Sequence, residues 1–174
     1  MKKAFSLIEL MIVIVIIGVI YTLAVSKLQN VGTQKLVPTF SNLKEYLFTY
    51  VKKDTKEVRL LCLDDCKSCN LYVDSVKQEK EIEPFFDDSV EVYRYDFVQG
   101  VVEMQESTFF NQEGRQENVC FSFSMNKDLV SDQVIVVYEE KAYDYTNYFT
   151  PTKVYDHLEE LLEAKELLAQ EVAR

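Results

Sequence analysis

The pattern of apolar and polar positions changes twice along the chain. From Phe5 to Val25 almost every residue is apolar, and Glu9 is the one charge within the run. Its 21 residues would make a helix of roughly 30 Å, about the hydrocarbon thickness of a bilayer. Beyond it the apolar positions narrow to a stripe. Leu28, Val31, Leu36, Phe40, Leu43, Leu47 and Tyr50 recur at three- and four-residue steps, with a slip near Gly32. Lys27, Lys35, Lys44, Glu45 and Lys53 mostly face elsewhere on that wheel. The pattern predicts one helix from Phe5 to about Lys53, roughly 70 Å long at 1.5 Å per residue. Gly32 and Pro38 are the expected kinks, because proline removes a backbone donor and clashes with the preceding turn.

From Val58 the period becomes two. The predicted strands are Val58–Leu63, Leu71–Val76, Val90–Phe97, Val101–Met104, Val119–Met125, Val134–Glu139 and Ala142–Tyr148, with a hairpin around Glu140-Lys141. Alternation is cleanest at Val119, Phe121, Phe123 and Met125, with Cys120, Ser122 and Ser124 opposite. This is the pattern of an antiparallel sheet with one buried face. After Pro151 the period returns to helical: Leu158, Leu161, Leu162, Leu168 and Val172 lie along one side of a segment running from His157 to Arg174. Three readings of that helix stand open: packing on its own head, docking a partner, or a frayed tail.

Composition narrows the function classes. The net charge is −10, which repels phosphate backbones, and the nearest approach to a basic cluster, Lys52, Lys53, Lys56 and Arg59, is interrupted by Asp54 and Glu57. Direct nucleic-acid binding is therefore disfavoured. The single histidine, His157, removes multi-histidine metal sites and leaves a poor catalytic inventory, so no enzyme activity and no cofactor are expected. His157 beside Asp156 reads as a helix start. Gly and Pro number only 4 and 3, which leaves the turns to Asn, Asp, Ser and Lys.

The N-terminal run admits two simple readings, a secretory signal cut near Ala24-Val25-Ser26 or an uncleaved anchor. Lys2 and Lys3 before the run place the C-terminal bulk across the membrane. Neither reading accounts for Glu9, since a carboxylate at membrane depth costs about 2.5–3.5 kcal/mol on insertion scales. A short basic leader, a small residue, then Phe-Ser-Leu-Ile-Glu-Leu and a long β-branched run resembles the class III N-terminus of type IV prepilins and of type II secretion or competence pseudopilins. Gly18 also matches that pattern. Ala4 stands where the family usually has Gly, and the stretch just after the run lacks the helix-bending Pro found in many members.

The resemblance covers roughly the first 30 residues and implies a specific maturation. Prepilin peptidase would cut between Ala4 and Phe5, Phe5 would become the N-methylated first residue, and Glu9 would be the acid that serves subunit assembly. Its pairing with a neighbouring subunit's new α-amino group relieves two opposite charges in low dielectric. The implied organisation is a leader at 1–4, a transmembrane and filament-core helix at 5–26, its amphipathic second half at 27–55, a β-rich periplasmic head at 56–150 and a C-terminal helix at 151–174. The implied fold class is pilin-like α+β. The implied function is a structural, minor subunit of a type IV pilus, a type II secretion pseudopilus or a DNA-uptake pseudopilus. Its partners would be other pilin or pseudopilin subunits, prepilin peptidase and the inner-membrane assembly platform. The alternative is a membrane-anchored or exported periplasmic binding protein with no filament role.

Cys62-x3-Cys66-x2-Cys69 has the spacing of a radical SAM cluster, and with Cys120 it supplies four thiolates for zinc. A small exported head fits neither the large barrel nor the reducing compartment that such a cluster needs. Disulfides are the favoured reading in an oxidising compartment, and four cysteines allow three complete pairings. The expectation is one bond within the 62–69 loop and one from that loop to Cys120. A redox-active Cys66–Cys69 pair and a structural zinc remain the alternatives. The acid pairs Asp64-Asp65, Asp87-Asp88 and Glu139-Glu140 lack the order of a calcium loop and read as solvated turns.

Overall fold

The computed structural model describes residues 7–31, 36–96, 98–104, 107–110, 114–148 and 150–172, with the backbone alone at 9, 22–31, 80 and 81. Two compact units divide the chain, 1–37 and 38–174.

Among its described residues the first unit holds one helix, α1 (Leu7–Val31). Its apolar side chains between Leu7 and Tyr21 are 43–77% exposed on every side of the helix. A helix apolar all round is stable only when buried in lipid or among other helices. Among the described residues no helix is long and apolar enough to cross a membrane. The side chains described in α1 reach only to Tyr21, whereas the apolar run of the sequence extends from Phe5 to Val25.

The predicted helix does not continue unbroken to Lys53. Leu36–Thr39 is non-helical, because Pro38 lacks an N–H and drives the residue before it out of the helical region. Helix resumes as a short 3₁₀ turn at Phe40–Asn42 followed by α2 (Leu43–Phe48). Asn42 Oδ1 accepts the Thr39 N–H at 2.8 Å, and Thr49 Oγ1 donates to the Tyr46 carbonyl at 2.7 Å where α2 ends.

The head is α+β and antiparallel, but its strands form two sheets where one was expected. The strands are β1 (Glu57–Leu63), β2 (Ser68–Val73), β3 (Val76–Ile82), β4 (Glu91–Asp96), β5 (Gly100–Glu103), β6 (Ser107–Phe110), β7 (Gln116–Asn126), β8 (Ile135–Tyr138), β9 (Lys141–Asp144) and β10 (Lys153–Tyr155). One sheet runs β3-β2-β1-β7-β6 and the other β10-β9-β8-β4-β5. Ten twisted strands in one open sheet is near the limit of what stays flat enough to pack, so division into two is the expected physical outcome.

Several boundaries differ from the periodicity reading. Leu71–Val76 is two strands, because Asp74 and Ser75 take φ of 51° and 68° and close a tight turn. The β8–β9 hairpin turns at Glu139-Glu140, φ 48° and 67°, one residue before the expected centre. These two turns place non-glycine residues in the left-handed region, the backbone twist that two-residue hairpins require. The strand predicted over Ala142–Tyr148 stops at Asp144.

The main core lies between α2 and the facing sides of both sheets. Phe40, Leu43, Tyr46 and Leu47 meet Val58, Leu60 and Cys62 of β1, Phe121, Phe123 and Met125 of β7, and Val136 of β8. On the other side of β1, Leu61 and Leu63 pack with Val119. Lys44, assigned by the helical wheel to the outer side of the stripe, is instead buried. Its Nζ donates to the Asn147 carbonyl at 2.5 Å and to Thr150 O at 3.4 Å. Burial pushes the ammonium below the usual lysine range, against the opposing pull of Asp144 and Glu45.

α3 (Leu158–Val172) packs on the head through its first half. Leu158, Leu161 and Leu162 pack with Ile135 and Ala142 on the side of the second sheet away from the main core. A buried ion pair fastens it: Lys165 Nζ lies 2.7 Å from Asp144 Oδ2, with side chains 14% and 8% exposed. Lys165 also donates to Thr146 Oγ1, and Thr146 donates its N–H and hydroxyl to Asp144 Oδ1. Beyond that point Leu167, Leu168 and Val172 are exposed.

Burial alone would raise the Asp144 carboxyl, but the Lys165 and Thr146 hydrogen bonds outweigh it and hold the carboxyl below the usual range. A lowered carboxyl stabilises the fold above its unfolded pKa, about 4, and loses that contribution as pH falls through the folded value. Lys165→Met is therefore expected to cost about 3 kcal/mol at neutral pH by stranding a buried carboxylate. The penalty should shrink as pH falls, starting above about pH 4 because the stranded, buried carboxyl takes up a proton more readily than in the parent. Thermal unfolding across pH, with hydrogen exchange of α3 amides, measures both effects.

Candidate functional site

The expected functional residues fall in two places. Ala4 and Phe5 lie outside the described residues, and Glu9 lies in α1, where only its backbone is described. The cysteines lie in the head, and the structure brings all four together.

Cys62 and Cys69 are direct cross-strand partners in the β1–β2 hairpin, with Cα atoms 4.0 Å apart, and are bonded to each other. Cys66 sits in the turn between them and is bonded to Cys120 of β7, Cα to Cα 5.3 Å, across 54 residues of sequence. Three consecutive left-handed residues, Asp64, Asp65 and Cys66, swing the Cys66 side chain back over the hairpin toward β7. The Asp64 N–H donates to Asn118 O at 3.2 Å and ties the same turn to β7 a second time. In the chain-entropy picture the short bond stabilises by about 2.5 kcal/mol and the long one by about 4.

All four cysteines are paired in the two disulfides, and Cys66 and Cys69 are not bonded to each other. Cys62, Cys66 and Cys69 are at most 1% exposed, which shields these sulfurs from exchange partners. Among the described residues no group of three or more His, Cys, Asp or Glu is arranged to hold a metal ion.

The stapled turn carries charge outward. Lys67 Nζ meets Asp65 Oδ2 at 2.9 Å, and the Lys67 ammonium is raised by that hydrogen bond and by the nearby Asp88 and Asp64 carboxylates. The pair is well exposed, so its contribution to stability is small. Sequence reasoning missed the buried Lys44 and the Asp144–Lys165 pair. Their partners lie 103 and 21 residues away, and no local pattern marks them.

Residues 1–25 match the family model described as the prokaryotic N-terminal methylation motif. The motif suggests a type IV pilin-like substrate of prepilin peptidase and points to a structural rather than a catalytic protein. More particularly, the match is consistent with the class III prepilin-type signal of pilins and pseudopilins. No curated protein matches the chain, and no solved structure does.

Proposed function

We propose that this chain is a structural subunit, of the minor kind, in a type IV pilus, a type II secretion pseudopilus or a DNA-uptake pseudopilus. The observation that carries this reading is the methylation motif over residues 1–25. On it, prepilin peptidase cuts between Ala4 and Phe5, Phe5 is N-methylated, and the apolar helix is kept. The subunit waits in the inner membrane with its head in the periplasm until the assembly platform and neighbouring subunits take it into a filament.

Three further features support the reading. The apolar surface of α1 requires lipid or helical neighbours. Lys2 and Lys3 orient the segment with the head across the membrane, and the two disulfides suit an oxidising compartment. The minor role is supported by α3 on the outside of the head and by the stapled cysteine turn, both of which would crowd the repetitive packing of a major subunit.

Mass spectrometry of protein purified from membranes tests the proposal. The expected N-terminus is N-methyl-Phe5. A chain beginning near Lys27 would replace this proposal with an exported binding protein that has no filament role.

A further inference from the structure

α3 carries two apolar stripes, and the head takes up one of them. Leu158, Leu161, Leu162 and Lys165 follow the three- and four-residue steps of a single helix face. That face lies on the second sheet, along β9 and β10. Ala164, Leu167, Leu168 and Val172 follow the same kind of steps roughly a quarter-turn round the helix. On this second stripe Leu167 is 63% exposed, Leu168 54% and Val172 88%. A lone exposed leucine needs no explanation. Three large apolar side chains in helical register are the anchors by which one helix receives another.

The charge on this half of α3 is one-sided. Glu163 has Glu159, Glu160 and Glu166 three or four residues away, a spacing at which like charges repel. Glu171 stands in the last turn, where the helix dipole is negative and no basic residue offsets it. Lys165 is the one Lys or Arg within α3, and it is turned into the head. Its Nζ lies 2.7 Å from Asp144 Oδ2 and 5.5 Å from the centre of the Tyr95 ring. The second stripe is therefore bordered by carboxylates with no cation of their own helix beside them.

Charge separates the candidate occupants. A lipid surface takes helices whose polar side is rich in Lys and Arg, the reverse of this one. A second copy of this chain brings the same acids alongside these, and like charge opposes that pairing. A helix with leucines on one face and lysines or arginines beside them covers the exposed stripe and supplies the opposite charge. We propose that the second stripe of α3 docks a basic amphipathic helix of another protein. Leu167, Leu168 and Val172 pack on its apolar face, and Glu163 and Glu171 pair with its cations.

The test uses the full chain in phosphatidylcholine nanodiscs, with empty discs as the blank. The probe is a fluorescent peptide of three Leu-Ala-Gln-Leu-Lys-Ala-Lys repeats. One control peptide carries glutamate in place of lysine. The other has the same composition with its leucines spread round the helix. The probe should bind at least about tenfold more tightly than either control at physiological salt. Its binding should slow amide exchange over 164–172, which in the chain alone should exchange faster than 158–163. Leu167→Gln with Leu168→Gln should weaken binding about tenfold without lowering the Tm of the head, because both side chains point largely to solvent. Glu163→Gln with Glu171→Gln should weaken it about threefold. Four results would overturn the proposal: unchanged binding to the double leucine variant, protection elsewhere on the head instead, slow exchange of 164–172 before peptide is added, or no binding at millimolar peptide.

Discussion

Phe40→Ala is expected to lower the stability of the head by about 3–5 kcal/mol. For a head of this size that is on the order of 10–20 °C in Tm. Phe40 is 3% exposed, and its ring centroid lies 4.9–5.6 Å from those of Phe85, Phe86, Phe121, Tyr138 and Tyr143. Those rings come from both sheets and from the segment linking β3 to β4, so one truncation opens a cavity at the junction of three parts of the core. The backbone anchor survives the change, since Tyr145 donates its hydroxyl to the Phe40 carbonyl and not to its side chain. The loss is therefore one of packing. Phe40→Leu should recover more than half of it in the same thermal denaturation experiment, and a Phe40→Ala protein as stable as the parent would refute this account of the core.

Glu9→Ala should have the largest effect on function while leaving the head intact. Removing the carboxylate favours insertion of the apolar helix by about 2.5–3.5 kcal/mol, so the variant is expected to reach the membrane at normal levels. On the proposed role of Glu9 it should then fail to enter filaments, with incorporation falling below about a tenth of the parent's because the partner of the neighbouring α-amino group is missing. Immunoblots of sheared filaments against the membrane fraction separate the two outcomes. Normal incorporation would remove the assembly role from Glu9, whereas loss from the membrane fraction would assign it to insertion.

The strands readable in the sequence were all of the inner ones and one edge strand, β5. Val58–Leu63 and Val119–Met125 lie beside each other at the centre of the first sheet, and their alternation records one side packed on α2 and the other on a smaller cluster. The strands that periodicity missed, β3, β6 and β10, are all sheet edges. Val76–Ile82 has the sequence Val-Lys-Gln-Glu-Lys-Glu-Ile and carries almost no apolar alternation. An edge strand is held by backbone hydrogen bonds to one neighbour, and charge is how edges avoid other chains. The helical stripe was legible in the same limited way. Phe40, Leu43 and Leu47 are buried as their spacing implies, and Pro38, expected as a kink, instead lies in a non-helical break before them.

The candidate site was legible where chemistry is local. Phe5 and Glu9 were singled out by a short motif that needs no fold to be recognised, and the family match covers the same residues. The joining of Cys62 to Cys69 follows directly once β1 and β2 pair in the observed register, but sequence supplies that register only weakly. Lys44 was misplaced because its reason for being buried, two carbonyls after β9, is a tertiary one.

The Cys66–Cys120 bond closes a covalent ring that contains β2 through β6 and every loop between them. A protease that nicks any exposed loop inside that ring, such as the stretch around Pro84, releases no fragment. The two pieces remain one molecule until a reductant cleaves the bond between Cys66 and the half-buried Cys120.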